Sequence, residues 1–161
     1  MNTRTEFPKL QNIPESGNIG LALPVDFCNF VVWLPRKDYF HGKEIEIGGV
    51  RLHYDESGPA GGRPVLLMHG WGCDHSTVAS IAGILSAGMH IYNVDLPGHG
   101  KATSLRRCGG VDSFTRLMEE FTERLGLKDP VLIGHSFGGR IAILMSSRNP
   151  VSKVVLVDAA K

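Results

Sequence analysis

Residues 131–139 read VLIGHSFGG, and this stretch decides how the rest of the chain is interpreted. A short apolar run leads into Gly134, Ser136 and Gly138 at the spacing G-x-S-x-G, typical of a serine on a sharp turn between a strand and a helix. Such a turn crowds the backbone, so the positions two before and two after the serine can carry almost no side chain. The pattern predicts that Ser136 is the chemical centre and that the two glycines shape its elbow.

The segments before and after the elbow predict an α/β fold. Residues 44–47 and 50–54 alternate polar with apolar side chains around Gly48 and Gly49, which predicts an edge hairpin. Continuously apolar runs suit strands that helices cover on both faces. These runs cover residues 65–68, 91–94, 130–133 and 154–157.

Helical patterns separate the apolar runs. We expect one helix to begin at Asp74, and a second to be capped by Asp112 and stopped by Gly126. A third continues behind Ser136. Strands that alternate with amphipathic helices predict a three-layer, doubly wound, mostly parallel sheet. Ligands bind such sheets at the carboxyl ends of the strands, where Trp71, Asp95, Ser136 and Asp158 are expected.

Composition excludes several classes of function. The chain has 161 residues, and 17 Lys plus Arg against 16 Asp plus Glu leave a net charge of +1, so neither nucleic acid nor an anionic membrane is indicated as a partner. The three cysteines, Cys28, Cys73 and Cys108, are widely spaced, which indicates neither a disulfide framework nor a zinc knuckle. We therefore expect a cytoplasmic protein that needs no cofactor or metal.

The first forty residues are different in character. Pro24 and Asp26 interrupt the apolar stretch 19–34, whose uninterrupted pieces are too short to cross a bilayer, and early acidic residues make a poor secretion signal. We interpret residues 1–42 as a weakly ordered extension and residues 43–161 as an incomplete α/β domain.

Three motifs together are more specific than the elbow alone: HGWG at 69–72, DLPGHG at 95–100 and GHSFGG at 134–139. In this order and spacing the chain resembles the α/β-hydrolase fold family, over roughly residues 43–161. The resemblance implies a serine hydrolase of ester, amide or similar bonds, with Ser136 as the nucleophile of an acyl-enzyme. It also implies that the backbone N–H groups of Trp71 and Phe137 form the oxyanion hole.

The resemblance also implies a base that this sequence lacks. In the family the catalytic histidine follows the serine, on a loop after the last strand, and a serine hydroxyl is a poor nucleophile without such a base. All seven histidines of this chain precede Ser136. Asp158 is a candidate acid, with shaping of the pocket as its alternative role. We therefore expect a C-terminally truncated member of the family that is essentially inactive as an isolated chain.

Two further expectations concern partners. The partner implied by the family is a small-molecule substrate, and the alternative is a non-catalytic binding or interaction protein that retains the pocket. The last apolar run, residues 154–157, would form an exposed sheet edge, which favours self-association.

Two nucleotide-binding alternatives are not supported by the sequence. A dinucleotide-binding fold is disfavoured because no G-x-G-x-x-G follows an early strand. A phosphate loop at 98–102 is rejected because Ala102 stands where Ser or Thr would hold magnesium.

Overall fold

The computed structural model describes residues 41–106 and 109–159. Residues 1–40 of the expected extension lie outside this part of the chain. The described elements, in chain order, are β1 His41–Ile47, β2 Val50–Ser57, β3 Arg63–Met68, a 3₁₀ turn His75–Val78, α1 Ala79–Leu85, β4 Met89–Val94, α2 Val111–Arg124, β5 Val131–His135, α3 Phe137–Ser146 and β6 Lys153–Val157. The hairpin, the four apolar strands and the three helices predicted from the sequence are all present.

The six strands form one sheet in the order β1-β2-β4-β3-β5-β6. The pairs β4–β3, β3–β5 and β5–β6 are parallel, whereas β2 runs antiparallel to both β1 and β4. The predicted edge hairpin is thus β1 and β2, joined by Gly48 and Gly49, both of which have positive φ. This confirms a mostly parallel α/β sheet with the strand order of the N-terminal part of the expected fold.

Helices cover both faces of the sheet, which explains why the central strands are continuously apolar. On one face, Leu66 and Met68 of β3 belong to a buried cluster with residues of α2 and α3. On the other face, Val65 and Leu67 of β3 pack with Val78 and Ala82, which belong to the 3₁₀ turn and α1. Successive side chains of a strand point to opposite faces. The predicted three-layer arrangement is therefore confirmed.

The start of α2 differs from the prediction by two positions. The N-cap is Gly110, and Asp112 lies inside the first turn, so the expectation that Asp112 caps the helix is wrong. Its carboxylate instead accepts hydrogen bonds from Arg116, at 2.8 Å, and from Arg148, at 2.6 Å. A carboxylate is favourable anywhere in a first helical turn, and here the two guanidinium groups fix its place. Gly126, with φ of 65°, follows the helix as expected.

The topology brings the carboxyl ends of four parallel strands to one edge of the sheet. His69 follows β3, Asp95 follows β4, Ser136 follows β5 and Asp158 follows β6. In open α/β sheets this edge is where ligands bind. Among the described helices, of which the longest has 14 residues, none has the length and apolar character needed to cross a bilayer.

Candidate active site

Ser136 lies at the junction of β5 and α3 in a strained backbone conformation. Its φ of 49° and ψ of −108° fall outside the regions that residues with a side chain normally adopt. Its N–H donates a hydrogen bond of 3.0 Å to the carbonyl of Val157, which ties the elbow to the neighbouring strand β6. The hydroxyl makes no hydrogen bond to another described residue, and the side chain is half-buried. The elbow therefore presents a free hydroxyl at the carboxyl edge of the sheet.

The glycines at the elbow are required by close backbone contacts. A Cβ at Gly134 would collide with the carbonyl group of Gly138, and a Cβ at Gly138 would collide with the carbonyl of Met68 and lie 2.7 Å from that of His69. Backbone cannot move aside as the end of a side chain can, so any larger residue would displace the elbow. The structure thus gives Gly134 and Gly138 the packing role predicted from the motif.

Two backbone N–H groups belong to the segments that meet at this close approach. The N–H of Gly138 donates to the carbonyl of His69 at 3.2 Å, which joins the start of α3 to the loop after β3. Trp71 lies two residues further along that loop, and Phe137 is the first residue of α3. Within the described part of the chain, neither the N–H of Trp71 nor that of Phe137 has a hydrogen-bond partner. The oxyanion hole that the resemblance implies at these two groups stays a prediction.

The loop that carries Trp71 is held by a buried, neutral histidine. The ring of His69 donates from Nδ1 to the carbonyl of Gly70 at 2.7 Å and accepts at Nε2 from the N–H of Leu96 at 3.0 Å. Burial lowers the pKa of His69 below its usual value, more than the hydrogen bond to Gly70 raises it. Because Nε2 must accept, the neutral ring is the form that fits. His69 thus joins the loop after β3 to the loop after β4.

Aromatic side chains form one wall beside the elbow. The indole of Trp71, 66% exposed, packs edge-on against the rings of Phe137, at 5.2 Å, and His99, at 5.1 Å. Phe114 of α2 lies 5.1 Å from Phe137 between ring centres. Trp71 also lines a cavity of about 940 Å³, together with Cys73, His99 and Phe114 but without Ser136. An apolar group bound next to the serine would therefore meet an aromatic surface.

Residues 63–160 match the family described as alpha/beta hydrolase fold. The chain belongs to this family. The matched segment runs from β3 to the end of β6, and thus includes the elbow and both loops that face it.

The sequence of this chain is also similar to those of proteins with different names. The chain is 37% identical over 116 residues to the magnesium-chelatase 30 kDa subunit of Rhodobacter capsulatus, an alignment that covers 71% of this chain and 40% of the relative. It is 36% identical over 106 residues to a serine hydrolase-like protein of Danio rerio, covering 63% of this chain and 32% of the relative.

Solved structures of similar fold are also longer than this chain. A membrane phospholipase A described as a bacterial virulence factor superposes with a TM-score of 0.72 at 27% identity, covering 75% of this chain and 40% of that one. The thioesterase domain from the curacin biosynthetic pathway gives a TM-score of 0.69 at 25% identity, covering 76% and 47%. The chain spans less than half the length of each of these four proteins.

No base is hydrogen-bonded to the serine among the described residues. No histidine among them hydrogen-bonds to Ser136, and His135, the nearest in sequence, has a buried Nδ1 without a partner. Asp158 follows β6 close to the elbow, with φ of 46° and an exposed side chain. Its carboxylate makes no hydrogen bond or ion pair with another described residue. The role of Asp158 as an acid therefore stays a prediction.

One group of polar residues at this edge was not predicted from the sequence as a unit. The side chains of His53 and His75 both contact the buried carboxylate of Asp95. Two separate segments of the sequence contribute to this group. His53 and Asp55 are two residues apart on β2 and so share a face, while Asp95 directly follows β4. Only the antiparallel pairing of β2 with β4, in which Tyr54 is opposite Val94, brings the two segments together.

Proposed function

We propose that this protein is a serine hydrolase. It would cleave ester, amide or similar bonds of a small-molecule substrate through an acyl-enzyme on Ser136. In this mechanism the serine oxygen attacks the carbonyl carbon, and a base takes the hydroxyl proton. The N–H groups of Trp71 and Phe137 stabilise the negative charge that develops on the carbonyl oxygen. The leaving group departs with a proton, and water then releases the acyl group.

The observation that carries this proposal is the backbone of Ser136, whose φ of 49° and ψ of −108° are held by close contacts at Gly134 and Gly138. Strain of this kind costs on the order of 1–3 kcal/mol and persists where the surrounding structure fixes it, which occurs most often at functional sites. The two free N–H donors and the name of the serine hydrolase-like relative support the same mechanism.

We further propose that the isolated chain hydrolyses its substrates extremely slowly. Among the described residues, none that could act as a base hydrogen-bonds to the hydroxyl of Ser136. Loss of the serine or histidine of such a triad lowers the rate by about a million-fold in one well-studied enzyme. Purified chain should therefore hydrolyse a short-chain nitrophenyl ester no faster than its Ser136→Ala variant. Saturable hydrolysis that Ser136→Ala abolishes would overturn the inactivity.

A chemical-rescue experiment separates the nucleophile from the missing base. Imidazole added in solution can accept the hydroxyl proton, so a nitrophenyl ester with imidazole should leave an acyl group on Ser136. Peptide mass spectrometry would detect it, with Ser136→Ala and exposed Ser104 as references. Equal acylation of Ser136 and Ser104 would contradict the assignment of Ser136 as the nucleophile, since an exposed serine without oxyanion donors would then react as well.

The cavity beside Trp71 favours a second candidate, a protein that binds an apolar small molecule without changing it. The exposed indole and the aromatic wall suit such a ligand. Titration with an aromatic carboxylic acid should then quench tryptophan fluorescence in the wild type and in Ser136→Ala, but not in Trp71→Leu. Binding without any acylation of Ser136 in the rescue experiment would favour this candidate over the hydrolase.

We also propose that the chain self-associates through β6. This strand pairs with β5 on one side, and no described strand covers its other edge. Its Val155 and Leu156 are 37% and 46% exposed. Uncovered apolar edges promote pairing between chains, and charged residues on an edge prevent it. Leu156→Lys should therefore shift the chain to a smaller species in sedimentation velocity, whereas a monomeric wild type would refute the proposal.

A further inference from the structure

A group of two imidazoles and two carboxylates lies away from Ser136, between β2 and the loops after β3 and β4. The ring of His53 contacts Asp95 Oδ2 through Nδ1 at 3.1 Å, and the ring of His75 contacts Asp95 Oδ1 through Nδ1 at 2.7 Å. The backbone N–H groups of His75, at 2.8 Å, and Lys101, at 3.0 Å, donate to the same carboxylate. Asp95 is thus fully surrounded by donors.

These contacts fix which nitrogen of each ring carries its hydrogen. Asp95 accepts one backbone N–H bond at each carboxylate oxygen, from His75 at Oδ1 and from Lys101 at Oδ2. Each of these oxygens also lies at hydrogen-bond distance from one ring Nδ1. Both Nδ1 atoms then donate to the carboxylate, which leaves Nε2 as the second nitrogen of each ring.

The two Nε2 atoms face a second carboxylate. His75 Nε2 lies 3.5 Å from Asp55 Oδ2, and His53 Nε2 lies 4.0 Å from Asp55 Oδ1. Neither contact has the geometry of a hydrogen bond, and His53 is nearly completely buried, with 4% of its side chain exposed. Two imidazole nitrogens and a carboxylate thus lie near one another without hydrogen bonds among them, as the ligands of a metal site do.

On the side of β1, a glycine faces this group. Gly42 is opposite Asp55 in the pairing of β1 with β2, and a Cβ at Gly42 would lie 2.9 Å from His53 Nε2 and 3.6 Å from Asp55 Oδ1. Position 42 therefore adds no side chain to this side of the group. The side chains of His75 and Asp55 are 18% and 15% exposed, which gives an ion access from solvent.

We propose that His53 Nε2, His75 Nε2 and the carboxylate of Asp55 bind a divalent transition-metal ion of the zinc class. Ligand atoms about 2.0–2.2 Å from a tetrahedral zinc ion are roughly 3.4 Å apart, close to the distances of 3.5 and 4.0 Å observed here. Two imidazoles and one carboxylate suit zinc, whereas magnesium and calcium prefer oxygen ligands.

Asp95 has a different part in this site. Its distances of 2.7 and 3.1 Å to the two Nδ1 atoms are those of hydrogen bonds, and it already accepts four. It therefore orients the imidazoles, as carboxylates behind metal-binding histidines commonly do. Since His75 begins the 3₁₀ turn that directly follows the loop carrying Trp71, the ion would join this part of the chain to β2. The proposal is independent of chemistry at Ser136.

The test uses the full chain, freed of metal with a chelator and titrated with zinc by calorimetry. We expect one zinc ion per chain and a thermal unfolding midpoint that rises with zinc concentration, because an ion that binds only the folded state stabilises it. Cobalt in place of zinc should give the visible absorption of a four-coordinate site. Asp55→Asn and His75→Gln should each weaken zinc binding by about tenfold or more.

Two matched controls separate this site from other ligands. His90→Gln alters a histidine whose Nε2 pairs with Glu56 at 2.7 Å on the same sheet, and Cys73→Ser removes the thiol next to the loop. Both should bind zinc as the wild type does. Circular dichroism confirms that each variant is folded, and if Asp55→Asn is not, His75→Gln decides. No binding by the wild type, binding that survives in His75→Gln, or binding lost in Cys73→Ser would each overturn the proposal.

Discussion

Ser136 and Asp95 lie at the same edge of the sheet, after β5 and β4 on either side of β3, yet their surroundings are opposite. The hydroxyl of Ser136 has no hydrogen-bond partner among the described residues, and its backbone is strained. Asp95 is fully buried, and its carboxylate accepts four hydrogen bonds. This edge of the sheet therefore contains one position without a hydrogen-bond partner and one that fixes the loops around it.

The largest change in stability is expected from Asp95→Asn. The amide keeps the shape of the side chain but turns an N–H₂ group toward donors, which leaves buried hydrogen-bonding groups unmatched. Removing one partner of a buried charged network costs on the order of 3–5 kcal/mol. We expect a loss of this size in the free energy of unfolding, measured by urea titration. A loss below about 1 kcal/mol, the size of an ordinary surface effect, would show that Asp95 does not hold the loops.

At the elbow, the largest effect on stability is expected from Gly138→Ala. The added Cβ would collide with the carbonyl of Met68 and disturb the hydrogen bond to His69, so we expect a loss of about 3 kcal/mol. Gly88→Ala is the matched control, because a Cβ there has no atom within 4 Å. Urea unfolding of both variants checks this prediction. Equal stabilities would mean that the close approach of β3 and α3 is not required.

His69 joins the loop after β3 to the loop after β4. The pH dependence of the free energy of unfolding tests this role. Because the pKa of His69 is lowered in the folded chain, the unfolded chain binds its proton first. Its contribution is therefore complete above the unfolded pKa, about 6.5, and is lost as the pH falls through the folded value. One such group changes the free energy of unfolding by at most about 1.4 kcal/mol per pH unit.

His69→Gln isolates this contribution. Glutamine can still donate and accept hydrogen bonds but does not titrate. We expect its unfolding free energy to depend less steeply on pH than that of the wild type below pH about 6.5. Urea titrations at several pH values measure both slopes. Parallel curves for the two proteins would contradict a neutral, buried His69.

Much of the fold followed from local patterns in the sequence, and the groups around Asp95 did not. Continuous apolar runs predicted β3 to β6 because strands covered on both faces have no polar side, and the spacing of Gly134, Ser136 and Gly138 predicted the elbow. The helix start at Asp112 was misplaced because capping depends on the backbone angles of one residue. His53, His75 and Asp95 are far apart in sequence, so their meeting depends on the register of β2 and β4.

The smallest predicted effect concerns the strain at Ser136 itself. Glycine adopts a positive φ without the steric cost that a Cβ imposes, so Ser136→Gly should be more stable than Ser136→Ala by about 1 kcal/mol. Comparing the two variants removes the effect of losing the hydroxyl, which both share. Urea unfolding measures the difference. If alanine is as stable as glycine, the backbone at the elbow stores no strain, and the contrast with Asp95 would then lie in hydrogen bonding alone.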